Sequence, residues 1–181
     1  VIVHTLGHST RSLDEFLALL EAHGLAGLVD VRRFPASRRH PHFASDALAA
    51  SLAGTGRRYD WLPALGGRRP ARPDSPHTVW REPGFRGYAD HMDGDEFRTG
   101  LDALLALAGE RPTAIMCAEA VPWRCHRQLI ADALVARGVP VTHILSNTSS
   151  NQHRLTAFAR IDGDRLVYDG GQLALGRNDR P

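Results

Sequence analysis

Apolar residues fall in short continuous runs, separated by stretches in which they recur every three or four positions. That alternation builds strands buried on both faces and helices packed against them. Val1 to Leu6 is the first run, and it ends in the turn Gly7-His8-Ser9. Ser12 then stands three residues before Glu15, a capping-box spacing, and Leu13, Phe16, Leu17 and Leu20 follow at helical period up to His23-Gly24. Leu25 to Val31 is a second run, closing on Asp30-Val31-Arg32. A strand entered straight after a helix lies parallel to the strand before it, so the chain opens with a predicted βαβ unit.

Residues 33–42 carry two prolines and successive charges, which defeat both periodicities and predict a loop. Ser45 is read as the cap of a helix through Leu52, stopped by Gly54 and Gly56, with a third strand over Arg58 to Leu62. Residues 63–88 hold Gly66-Gly67 and five prolines and read as a long surface excursion. Asp95 to Leu107 is helical in pattern, Thr113 to Cys117 is a buried strand, and Pro122 opens a helix through Arg137 that Gly138 ends. Val139 to Leu145 is the next strand, and Asp162-Gly163-Asp164 turns a hairpin within residues 155–169. The expectation is one three-layer α/β domain over residues 1–181, with a mainly parallel sheet flanked by helices and a small C-terminal hairpin.

Composition narrows the function. The 181 residues are 43% hydrophobic and 23% charged, as in an ordinary globular domain. No apolar run nears the roughly 18 residues of a membrane span, and no basic, then apolar, leader opens the sequence. A cytoplasmic protein with no membrane partner is expected. All 22 basic residues are Arg, which excludes Schiff-base chemistry and a phosphate-loop lysine. The net charge of +2 is too small to argue for nucleic acid by itself. Cys117 and Cys125 are the only cysteines and do not make a disulfide framework.

In open parallel sheets, ligands sit beyond the carboxyl ends of the strands. Gly7-His8-Ser9, Asp30-Val31-Arg32 and Cys117-Ala118-Glu119 each fall at such an end, so three distant stretches converge on one rim. His8 reads as part of a tight turn or as an acid, base or ligand. Asp30 and Arg32 share a strand face and read equally as an ion pair or a substrate clamp. Cys117 to Arg127 packs two thiols, Glu119, Arg124, His126 and Arg127 into one strand-to-helix turn, and a thiol near a helix N-terminus ionises more readily.

Cys125 follows Cys117 by eight residues, not the two of a zinc knuckle or redox dithiol. Neighbours on a helix point about 100° apart, so Cys125 and His126 are not expected to share a metal. His126 also falls on one helical face with Leu129, Ile130, Ala133 and Leu134, where it reads as a core histidine, and Cys125 reads as a small apolar residue. In the excursion, Tyr59, Trp61, Trp80, Phe85 and Tyr88 interleave with arginines, either as a lid whose rings pack on the domain or as a stacking surface for bases.

These residues together resemble the bacterial and archaeal domain of unknown function 488. The resemblance rests on Thr5-Leu-Gly-His-Ser-Thr10, Asp30-Val31-Arg32 with Pro35 and Ser37, Tyr59 through Leu65-Gly66-Gly67, Phe85-Arg-Gly-Tyr88, and Cys117-Ala118-Glu119 through Cys125-His126-Arg127. It implies a single α/β domain with these motifs around a shared cleft, and no settled reaction. Carried over by position, it nominates His8, Ser9, Asp30, Arg32, Ser37, Tyr88, Cys117, Glu119, Cys125, His126 and Arg127 as cleft residues.

Three functions follow as expectations. The first is an enzyme acting on a small anionic or nucleotide-like substrate, with His8, Glu119, Cys117 and Cys125 as catalytic groups. Ser9, Asp30, Arg32, Ser37, Tyr88, His126 and Arg127 then bind substrate. Its metal-assisted form sets iron or zinc among His8, Glu119 and either a cysteine, with Cys125 the choice, or His126. The second is a non-catalytic nucleotide or nucleic-acid binding module using the Arg-rich excursion, and the third is a scaffold.

Overall fold

In the computed structural model, which describes residues 1–170, a six-stranded sheet runs in the order β3-β2-β4-β1-β5-β6. The strands are β1 (Val3–Gly7), β2 (Gly27–Asp30), β3 (Arg58–Trp61), β4 (Thr113–Cys117), β5 (Val141–Ile144) and β6 (Ser150–Gln152). All neighbours pair in parallel except β6, which runs antiparallel to β5. The helices are α1 (Leu13–Ala22), α2 (Ser45–Ala53), α3 (Pro83–Met92), α4 (Asp95–Glu110) and α5 (Arg127–Ala136), and β7 (Arg160–Asp162) with β8 (Arg165–Val167) forms the hairpin.

Alternation along each central strand divides the interior in two. On one face Leu6, Leu28, Ala114 and Met116 meet Phe16, Leu19 and Leu20 of α1 and Leu48 and Leu52 of α2. On the other, Val3, Val29, Ile115 and Val141 meet Tyr88 of α3, Leu101 and Leu104 of α4, Leu129 and Ile130 of α5, and Leu166 and Tyr168 of the hairpin segment. This is the expected three-layer arrangement. Chain reversals on one face lead leftward from β1 and β2, and those on the other lead back through β4 to β5. The connections leaving β4 and its neighbours β1 and β2 therefore depart to opposite faces, which opens a crevice at the β4 carboxyl end.

The α1 capping box forms as its spacing predicts: the Glu15 amide donates to Ser12 Oγ, 3.2 Å, and the Ser12 amide to Glu15 Oε2, 2.7 Å. Ser45 does not cap α2. The cap position is Ala44, without a side-chain bond, and the Ser45 amide instead donates to the Pro35 carbonyl, 2.9 Å. The excursion is shorter than residues 63–88 suggested, because Pro83 occupies the first helical position of α3 and the chain is ordered into a helix from there. Pro122 does not open one long helix either. It starts a 3-10 turn, Pro122–Arg124, then Cys125 is extended (φ −139°, ψ 148°) and α5 begins only at Arg127. The last stretch of the expected single domain, residues 171–181, lies outside the described residues.

Candidate functional site

The turns after β1 and β4 stay in register beyond the strands. The His8 amide donates to the Cys117 carbonyl, 3.0 Å, and the Ser9 amide to the Ala118 carbonyl, 2.9 Å. Gly7 permits this approach, since a Cβ there would lie 1.7 Å from the Glu119 carbonyl oxygen. The result is a cavity of about 830 Å3 at the crevice. Around it stand His8, Ser9, Arg32, Ser37, Tyr88, Cys117, Glu119, Cys125 and His126, so nine of the eleven nominated residues share one hollow. A smaller hollow of about 140 Å3 between α4, α5 and the hairpin holds none of them. Among the described residues, the two non-glycine positions with positive φ are Ser9 (50°) and Arg68 (57°), and both line the large cavity. Such conformations cost an L residue roughly 1–2 kcal/mol and collect at functional sites.

Asp30 and Arg127 are fully buried and are not among the residues that line the cavity. Asp30 is an anchor for Arg32, whose Nε and Nη2 donate to its carboxylate at 2.9 and 2.5 Å, and it also accepts from the Tyr59 hydroxyl at 2.7 Å. Arg32 further donates from Nη2 to the Phe43 carbonyl, 2.8 Å, and from Nη1 to His8 Nε2, 3.4 Å. Four of its five N–H donors are thus engaged, and the two-pronged clamp expected of it is already closed on Asp30.

His8 stacks on Phe43 at 4.3 Å and donates from Nδ1 to the Ser9 carbonyl, 2.9 Å, which fixes its tautomer. Burial pushes its pKa down to about 4, with the Arg32 charge adding to the effect, so the ring is neutral at pH 7. Ser37 caps its own turn, accepting from the His40 amide at 2.9 Å. The Tyr88 hydroxyl is tied to the Leu65 carbonyl, 2.7 Å, and its buried ring packs on His126 at 5.0 Å. Glu119 is exposed, and its carboxylate has no hydrogen-bonding or ionic partner among the described residues.

The metal set of His8, Glu119 and Cys125 does not assemble. Among the described residues the one group of metal-capable donors is Cys117, Cys125 and His126, whose ligand atoms lie within 4.8 Å of one another. The break before α5 explains the difference: Cys125 is extended and His126 is the helix cap, so the two side chains need not diverge as neighbours within a helix do. Cys125 Sγ is 3.6 Å from His126 Nδ1, while His126 Nε2–H donates to the Val31 carbonyl, 2.9 Å. Burial opposes ionisation of Cys125. The Cys117 thiol, His126 and Arg127 around it prevail and hold its pKa well below the ordinary thiol range. Cys117, hydrogen-bonded to Cys125 and buried, is pushed the other way.

Arg127 supports this cluster from behind. It is fully buried, forms no ion pair with a carboxylate among the described residues, and donates to Cys125 Sγ (3.4 Å), the Glu119 carbonyl (2.5 Å) and Thr5 Oγ1 (3.4 Å). Beyond Thr5 a buried line continues: the Thr5 hydroxyl donates to His143 Nδ1 (2.7 Å), His143 Nε2 to His153 Nδ1 (2.9 Å), and His153 Nε2 to Asp132 (2.8 Å). Asp132 also accepts from the Thr156 and Tyr168 hydroxyls at 2.7 and 2.9 Å.

Arg33, Arg39, Arg68 and Arg124 also line the cavity without being among the eleven nominated residues, as does Gly67, which backs onto His126. The signal for Arg68 was its place directly after Gly66-Gly67. The rings of the excursion pack on the domain, with Trp80 against Phe85, Phe158 and Tyr168 at 4.8 to 5.5 Å.

A doubly wound α/β domain with a thiol–imidazole cluster at its switch point is the class that this fold and site define. The chain belongs to the DUF488 family, a domain of unknown function, whose model matches residues 12–134. No curated protein and no solved structure matches the chain.

Proposed function

We propose that the chain is an enzyme acting on a small anionic substrate of nucleotide or phosphorylated-metabolite class, with the Cys117–Cys125–His126 cluster as its chemical centre. The observation that carries the reading is the coincidence, in one cavity, of that cluster with an unpartnered carboxylate, Glu119, below a mouth bearing Arg33, Arg39, Arg68 and Arg124. The guanidiniums attract and orient an anion. Glu119, reachable from solvent, moves the proton. His8, neutral and tautomerically fixed, and Ser9 line the same cavity.

Iodoacetamide labelling with a chelator present, located by mass spectrometry, tests the reading. Cys125 is expected to label faster than Cys117. Nucleoside monophosphate or inorganic phosphate should slow that labelling, with the protection lost in Arg68→Ala and Arg124→Ala. Equal, slow labelling of both thiols with no protection by any anion rejects it. Protection that vanishes steeply with salt and survives Glu119→Gln, in a protein without any turnover, would favour a binding module instead.

A further inference from the structure

Cys117, Cys125 and His126 reach the cavity floor from two segments, the end of β4 and the break before α5, and each offers one donor atom. In a tetrahedral zinc site, Zn–S near 2.3 Å and Zn–N near 2.0–2.1 Å put a sulfur and a nitrogen ligand roughly 3.6 Å apart. Cys125 Sγ and His126 Nδ1 stand at 3.6 Å. The other ring nitrogen of His126 is held by the Val31 carbonyl, which leaves the Nδ1 lone pair directed at the cluster. A metal-bound histidine is commonly supported in this way. Arg127 supplies a second outer contact, an Nε–H on Cys125 Sγ at 3.4 Å, and as a fully buried cation without a carboxylate partner it calls for negative sulfur beside it.

The approach to the imidazole is also kept clear. A Cβ on Gly67 would sit 2.8 Å from His126 Nδ1, so the loop crosses the ring only because residue 67 lacks a side chain. Cys117, Cys125, His126 and Gly67 all border the same cavity, so a position beside the three donors opens toward substrate.

We infer that Cys117, Cys125 and His126 form a three-ligand site for a zinc-class divalent ion, with its fourth position facing the cavity. Three protein ligands and one open position are the arrangement of catalytic rather than structural zinc. Two thiolates neutralise the dication, and the arginines at the mouth remain to meet the anion. The inference rests on the reading of the cluster as the chemical centre and specifies the cofactor that the centre takes.

Cobalt(II) added to the reduced, chelator-stripped protein is the probe. One equivalent is expected to bind, with a thiolate-to-cobalt charge-transfer band in the near ultraviolet, and zinc should displace it. Cys125→Ser, which leaves one thiolate ligand, should weaken cobalt binding and cut the band by at least half. Gly67→Ala, which keeps all three donors but sets a Cβ against His126 Nδ1, should weaken cobalt binding on the order of 10- to 100-fold, the size of effect that disturbing a ligand's surroundings has elsewhere. Far-ultraviolet circular dichroism separates lost metal from lost fold, and the milder Cys117→Ser serves should Cys125→Ser not fold. A folded protein with both thiols reduced that takes up no cobalt overturns the metal site. In that event anion-protected labelling of Cys125 would leave the enzyme reading standing. A full cobalt band with no effect of any anion on labelling would do the reverse, sinking the enzyme reading while the metal site holds.

Discussion

The rim cavity and the buried line behind it use the same kinds of side chain to opposite ends. In the line, His143, His153, Asp132, Thr156 and Tyr168 bond to one another around Asp132. At the rim, the exposed Glu119 carboxylate has no partner among the described residues, and His126 Nδ1 and the two sulfurs bond within their own cluster and to Arg127 beside the cavity. Buried polar groups must be paired to be tolerated, so the interior set is committed to holding β5, α5 and the Tyr168 segment together. In this fold, residual bonding capacity, more than residue type, distinguishes support from chemistry.

The largest expected effect comes from removing the interior acceptor. Asp132→Ala leaves His153, Thr156 and Tyr168 without their shared acceptor and is expected to lower stability by roughly 3 kcal/mol or more in urea denaturation. A loss under about 1 kcal/mol would mean that the line does not hold these elements together. Gly7→Ala follows, at about 1–3 kcal/mol, because its Cβ would overlap the Glu119 carbonyl and push the β1 and β4 turns apart. That variant should also lose anion protection of Cys125, which a purely structural defect far from the rim would not cause.

Each region also contributes one histidine to the pH dependence. Burial pushes both His8 and His143 down to about 4 from an ordinary 6.5. Between those values the unfolded chain binds more protons than the folded one, so stability rises with pH there. The contribution is complete above about pH 6.5 and is lost as pH falls toward 4. Urea midpoints should therefore drop across that window, and His8→Gln should flatten part of the slope. Midpoints that stay level from pH 6.5 to 4 in the unmodified protein would refute this. The smallest effect on stability is expected at the rim: Glu119→Gln, exposed and unpartnered, should change stability by less than about 0.5 kcal/mol while removing turnover. A clear fall in melting temperature would make Glu119 a structural residue.

Most of the sheet could be read from the chain because its strands are apolar on both faces and its first helix carries an explicit cap. α3 escaped because Pro83, Gly84 and Gly87 depress helical pattern, yet Pro83 sits at the one helical position that tolerates it. β6 escaped because Ser150-Asn151-Gln152 is polar and exposed, paired on one side only to β5. The convergence of the three turns was legible from topology. The partnership of Cys125 with His126 was not, since it turns on a single extended residue between a 3-10 turn and α5 that no periodicity marks. Arg127 likewise looked like a ligand-binding charge, and only its depth in the structure makes it a support.

The line from Arg127 to Asp132 begins with a guanidinium, a group that keeps its protons throughout the working pH range of proteins. The buried line therefore offers no proton relay through its guanidinium end. On the proposed reading, a proton consumed or released at the sulfur cluster enters and leaves by the solvent side, where Glu119 is exposed.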